Sequence, residues 1–245
     1  MLSAEGAGVA LAYEETGSGP GVLLLHGMAD DHTAWRETAA ALAQHARVVA
    51  PDRRGYGESG APEPYERTTV AEQAEDAAAL IGALGLGPVV ACGVDVGALA
   101  ILDLLLRHPS LVRAAVLVDP LAFALVADAN EALAAEREAL ELALREGGPA
   151  EAVERWLRLH GAGDPARVAR ARRDARAFFA DYGGQTTLAL TRRELRGLDV
   201  PVAVLDGPDG PAHLRSAADA LAGLLPDARR AGAEAPAEAI TALLL

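Results

Sequence analysis

Asp95 stands between two glycines in the stretch ACGVDVGA, residues 91–98. An apolar run precedes it and an apolar helical pattern follows it. A Gly-x-Ser-x-Gly turn exposes a serine at the tip of a tight strand-to-helix connection. Here the serine position holds Asp95, with Gly93 and Gly97 two residues to either side. A carboxylate at such a tip has three possible uses. It can attack carbon as a nucleophile, move protons as a general acid or base, or persist in a site that has lost its chemistry. Cys92, the only cysteine, reads as buried packing rather than a reactive thiol. The six histidines are scattered, with no His-x-x-x-His or Cys-x-x-Cys spacing, so no metal and no cofactor is expected.

The elements around Asp95 alternate between two periodicities. GVLLLHG (21–27), ARVVAPD (46–52), PVVACGVD (88–95), VRAAVLVDP (112–120) and VPVAVLDG (200–207) are short apolar runs of strand length. VALAYEET (9–16) alternates like an outer strand, and a weak strand is expected near 228–233. Helical spacing occupies 33–44, with Thr33 as the expected N-cap, then 70–85, 96–109, 212–226 and 236–245. Strands alternating with helices predict an α/β fold with a mostly parallel central sheet covered on both faces. Residues 121–195 break the rhythm with helical, charge-rich segments. They read as a helical lid over the strand ends, where open α/β sheets bind ligands. The expected division is a core of 1–120 and 196–245 with a lid of 121–195.

Composition narrows the function classes. The chain has 245 residues, a formal net charge of −13, and arginine as its only strong base. Such a surface repels phosphate backbones, so nucleic acid is excluded as a partner. There is no apolar run of about eighteen residues, so no membrane span is expected. The first residues do not read as a signal peptide. With a single cysteine, a reducing cytoplasm is the expected location.

Four motifs together resemble the α/β-hydrolase-fold superfamily. LLLHGMADDHTAW resembles its His-Gly turn, and PDRRGYGES its Asp-x-Arg-Gly-x-Gly-x-Ser turn. CGVDVGA occupies the nucleophile elbow, and RHPSLVRAAVLVDP follows at the usual distance. The resemblance implies an oxyanion hole from the backbone N–H groups of Met28 and Val96. It also implies a degenerate triad. The acid position falls at Gly210, with Asp206 and Asp209 nearby, and Asp119 marks an alternative acid position. The histidine position falls on GAEAP, at or beside Glu234, and no histidine follows His213.

The usual serine mechanism needs both a serine and an imidazole. Losing both leaves Asp95 and Glu234 as the catalytic candidates. Two close carboxylates share protons unequally, so Asp95 is expected ionised and Glu234 protonated. The leading expectation is therefore a cofactor-free, non-hydrolytic reaction such as cyclisation, isomerisation, elimination or decarboxylation, with Asp95 as general acid/base. One alternative is an Asp-nucleophile hydrolase resembling epoxide hydrolases, although Tyr182 is the only tyrosine in the lid. Another is an inactive binding or accessory protein. The expected substrate is a small hydrophobic molecule. Its pocket would be lined by His32 and Trp35 after the His-Gly turn, and by Phe123, Trp156, His160, Phe178, Phe179 and Tyr182 of the lid. His26 is expected to pack the turn, and a second copy of the chain, in a homodimer, is the one protein partner expected.

Overall fold

The computed structural model describes residues 1–126, 129–207, 211–232 and 235–245, apart from the side chains of Asn130 and Ala132. The strands are β1 (Leu2–Glu5), β2 (Ala10–Gly17), β3 (Gly21–Leu25), β4 (Arg47–Pro51), β5 (Val89–Val94), β6 (Val112–Val118), β7 (Val202–Leu205) and β8 (Ala228–Ala231). They form one sheet in the order β1-β2-β4-β3-β5-β6-β7-β8. β2 runs antiparallel to both β1 and β4, and the remaining pairings are parallel.

The apolar runs are continuous because both faces of the sheet are covered. Along β3, Leu23 and Leu25 join one apolar cluster, while Val22 and Leu24 join the other. β5 repeats this with Val89 and Ala91 on one face and Val90 and Cys92 on the other. The first face is covered by α2 (Val70–Leu84) and α3 (Val96–Arg107). The second is covered by α1 (Arg36–Leu42) and α9 (Pro236–Leu244). α2 opens on a capping box between Thr69 and Glu72 and closes on Gly85 at φ 57°.

The segment that breaks the rhythm holds α4 (Ala129–Leu159), α5 (Pro165–Arg173), α6 (Ala175–Gly184) and α7 (Arg192–Leu195). α4 breaks at Gly148, where φ is 75° and a proline follows. The chain then returns to the sheet through β7, α8 (Ala212–Ala222), β8 and α9. Among the described residues no helix is long and apolar enough to cross a membrane.

Two local expectations differ from the structure. Leu2–Glu5 pairs with Ala10–Tyr13 as an edge strand that its sequence does not announce. Helix start at Thr33 is replaced by a single tight turn, His32–Trp35, capped by Asp31. The Asp31 carboxylate accepts the Thr33 N–H at 3.0 Å, so Asp31 takes the capping position two residues earlier.

Candidate active site

β5 ends at Val94 and α3 begins at Val96, so Asp95 alone makes the turn. Its φ of 44° and ψ of −109° place it in a region that costs a non-glycine residue about 1–3 kcal/mol. Close contact between strand and helix makes the turn possible. A Cβ on Gly97 would lie 2.5 Å from the Leu25 carbonyl oxygen and 2.7 Å from that of His26. A Cβ on Gly93 would strike the Gly97 backbone. The two glycines that frame Asp95 are therefore required by packing.

The carboxylate lies back against the turn that follows β3. The Met28 N–H donates to Oδ1 at 3.0 Å and Oδ2 at 2.9 Å. The Val96 N–H donates to Oδ1. A Cβ on Gly27 would occupy the space taken by Oδ2. The two N–H groups that the sequence assigns to an oxyanion hole thus hold the Asp95 carboxylate itself. Burial pushes its pKa up to about 6; Arg53 and the Val96 and Met28 N–H groups oppose that rise, and Asp181 adds to it. Asp95 is consequently ionised at neutral pH but easily protonated below it.

Behind the turn sits a buried polar network. Arg53 donates through Nε to the His26 carbonyl at 2.8 Å and through a terminal nitrogen to the Gly27 carbonyl at 2.9 Å. The same nitrogen donates to Asp181 Oδ2 at 2.7 Å. Tyr56 donates its hydroxyl to Asp181 Oδ2 at 2.8 Å, and Gln73 donates to Oδ1 at 2.7 Å. Gln73 also accepts from Arg53. His26 donates Nδ1–H to the Gly27 carbonyl at 2.8 Å and accepts the Arg53 N–H on Nε2 at 2.9 Å. That pattern fixes a neutral ring, and burial lowers its pKa well below the usual value. With both nitrogens engaged, His26 packs the turn and leaves no free base.

The expected pocket residues divide into groups. Trp156 and Phe178 are buried in one apolar cluster with Met28 and Val96, and Phe179 and Tyr182 pack against it. The aromatics of α4 and α6 therefore cover the elbow. His160 lies with its ring 4.1 Å from that of Trp156. Its Nδ1 is 2.8 Å from the Trp156 carbonyl and its Nε2 is 3.1 Å from Glu136. Both partners accept, which favours the charged ring with two N–H groups. Burial opposes that charge, but Glu136, the Trp156 carbonyl and Asp95 together raise the pKa of His160. Glu136 also takes the Trp156 indole N–H at 3.1 Å.

His32 and Trp35 sit elsewhere. His32 bonds through Nδ1 to Asp52 at 2.6 Å and pairs through Nε2 with Glu14 at 3.3 Å. With Trp35 it lines an open groove of about 310 Å³ along β2 and α1 that includes neither Asp95 nor any residue of α4–α7. Phe123 meets His213 at 5.6 Å between ring centroids, outside the cluster over the elbow. Asp206 pairs with Arg230 at 2.5 Å. Asp119, at φ 44°, accepts the Gly207 N–H at 2.9 Å. Glu234, Asp209 and Gly210 lie outside the described residues.

Sequence reasoning missed Arg53, Asp181 and Glu136. Arg53 stands inside the quoted PDRRGYGES motif. An acid amid the apolar residues of ARAFFADYGG was the one signal for Asp181.

Comparison with known proteins agrees with this architecture. The family model described as alpha/beta hydrolase fold matches residues 20–229. An alpha/beta hydrolase from Sphaerobacter thermophilus superposes with a TM-score of 0.74 at 26% identity, covering 99% of this chain and 98% of that one. Bifunctional epoxide hydrolase 2 of Sus scrofa is 40% identical over 108 residues, which is 44% of this chain and 20% of that protein. A probable oxidoreductase, EphD, of Mycobacterium bovis is 37% identical over 106 residues, 43% of this chain and 18% of that protein. The match thus spans about a fifth of the length of these two relatives.

Proposed function

The chain belongs to the alpha/beta hydrolase fold family, and on that footing we propose that it opens small hydrophobic epoxides with Asp95 as the nucleophile. The observation that carries this reading is the seat of the Asp95 carboxylate. Met28 and Val96 N–H groups fix Oδ1, and burial holds the pKa near 6. An ionised, poorly hydrated carboxylate under an apolar cover is a competent nucleophile toward carbon. The likeness to an epoxide hydrolase over 108 residues supports the substrate class.

The reaction has two steps. An Asp95 oxygen bonds to a ring carbon, the ring C–O bond breaks, and an alkyl ester forms on Asp95. The alkoxide takes a proton from solvent, since His160 has both ring nitrogens bonded to Trp156 and Glu136. Water then adds to the ester carbonyl, and the oxyanion falls on the Met28 and Val96 N–H groups already in place. Glu234, at the position where the resemblance puts the base, takes the proton from that water and returns it to the departing alcohol, and Asp95 then releases its own proton to solvent to restore the carboxylate. A carboxylate is a weaker base than imidazole, so the ester is expected to persist long enough to be seen.

A second reading keeps Asp95 as general acid/base in a non-hydrolytic cyclisation, isomerisation, elimination or decarboxylation. Its support is the pKa near 6, which suits proton transfer at neutral pH. Against it, an enolate would compete with Asp95 for the same two N–H groups. A single turnover in ¹⁸O-labelled water separates the readings. Nucleophilic attack leaves the first diol unlabelled and puts the label into Asp95. Label in the first diol means that Asp95 acted on water instead, and unchanged epoxide means that the substrate class is wrong.

A further inference from the structure

We propose that Asp181 is a positioning residue for Asp95: acting through Arg53, it holds the Gly27 carbonyl and so aims the Met28 N–H at the Asp95 carboxylate. The inference rests on Asp95 being the reacting group.

A trans peptide points its C=O and its N–H in opposite directions. In the Gly27–Met28 peptide the carbonyl faces inward, to Arg53 at 2.9 Å and His26 at 2.8 Å. The N–H of the same plane therefore faces outward, and Asp95 receives it at 2.9–3.0 Å. Whatever fixes the carbonyl fixes the donor. Arg53 does so with a fork that also holds the preceding carbonyl, His26, so two successive peptides are anchored to one plane.

Arg53 is itself held. It is buried and would be an uncompensated cation without a carboxylate partner. Asp181 is that partner, fully buried, with its oxygens bonded to Arg53, Tyr56 and Gln73. The residue comes from α6, 128 positions along the chain from Arg53. The covering helices thus do more than shield the elbow: one of them supplies the counter-charge that keeps its donor turn in shape. Seating of α6 and alignment of the Met28 N–H are parts of one structure.

Among the described residues, three charged groups act on Asp95: Arg53 after β4, Asp181 on α6 and His160 at the end of α4. Replacing Asp181 by Asn removes the one like charge among them. That charge acts on Asp95 through space whether or not Asp181 aims the donor, so the Met28 N–H itself is the group to follow. A group that merely packed α6 would leave the hydrogen bond from Met28 to Asp95 as it is.

The test follows the ¹H shift of the ¹⁵N-labelled Met28 amide as Asp95 is titrated, together with ester formation from styrene oxide. Asp181→Asn is expected to cut the pH-dependent movement of that amide signal by roughly half or more and to slow ester formation with little change in apparent KM. Arg53→Lys keeps the charge but loses the fork, and it should slow ester formation roughly tenfold or more. This second variant decides the matter if Asp181→Asn does not fold. An unchanged Met28 amide titration in Asp181→Asn, or a wild-type rate in Arg53→Lys, overturns the role of Asp181. Absence of ester in the wild-type protein overturns the epoxide reading instead, and the titration still decides whether Asp181 acts on Asp95.

Discussion

Ionising Asp95 opposes folding, because burial outweighs the help from Arg53 and two backbone N–H groups. The carboxyl has a folded pKa of about 6 against an ordinary 3.8. A raised carboxyl stabilises the fold when protonated. That contribution is complete below about 3.8 and is lost as pH rises through about 6. The shift corresponds to something on the order of 2–3 kcal/mol. Asp95→Asn is therefore expected to raise the thermal midpoint at neutral pH, with a smaller gain near pH 4. Calorimetry at the two pH values checks the sign. Catalysis should move the other way: ester formation should rise with pH through about 6, because only the ionised carboxylate attacks. A pH-independent rate across that range would mean that Asp95 is not the titrating nucleophile.

The elbow is an element-scale device, made by a strand and a helix in near contact. Gly97→Ala would press a methyl group onto the Leu25 and His26 carbonyl oxygens. The expected cost is about 1–3 kcal/mol of stability, measured by urea denaturation, together with loss of activity as the Met28 turn is pushed away. At this scale the sequence was informative for definite reasons. β3 and β5 were legible because apolar residues fill both of their faces. α2 was legible from its helical spacing and closing glycine. β1 was not, because an exposed edge strand needs no apolar alternation. The N-cap was misread because Asp31 and Thr33 both suit it, and only tertiary packing selects between them.

Site residues were legible where a motif fixed the backbone. Asp95, Met28 and Val96 come together because turn and elbow are local structures brought side by side by adjacent parallel strands. His32 went elsewhere because Asp52 and Glu14, remote in sequence, capture its ring. Nothing local could reveal that pairing. The same holds for Arg53 and Asp181, whose partnership exists only once α6 packs against Tyr56 and Tyr65 in the loop after β4.

For the molecule as a whole, the formal charge of −13 bears on which substrates reach Asp95. A strongly acidic protein repels anions at low ionic strength, and added salt screens the repulsion. Neutral aryl epoxides should outrun carboxylate-bearing analogues at low salt, and the difference should narrow as salt is raised. A salt-independent ratio would place the discrimination in local contacts.

The central claim is that the Asp95 carboxylate forms a bond to substrate carbon. Rapid acid quench of the protein mixed with styrene oxide, followed by intact-mass and peptide analysis, tests it most directly. The expected result is a mass increase of one epoxide on the peptide containing Asp95, absent from Asp95→Asn. Diol formed with no adduct at any quench time, or an unchanged adduct in Asp95→Asn, would contradict the account.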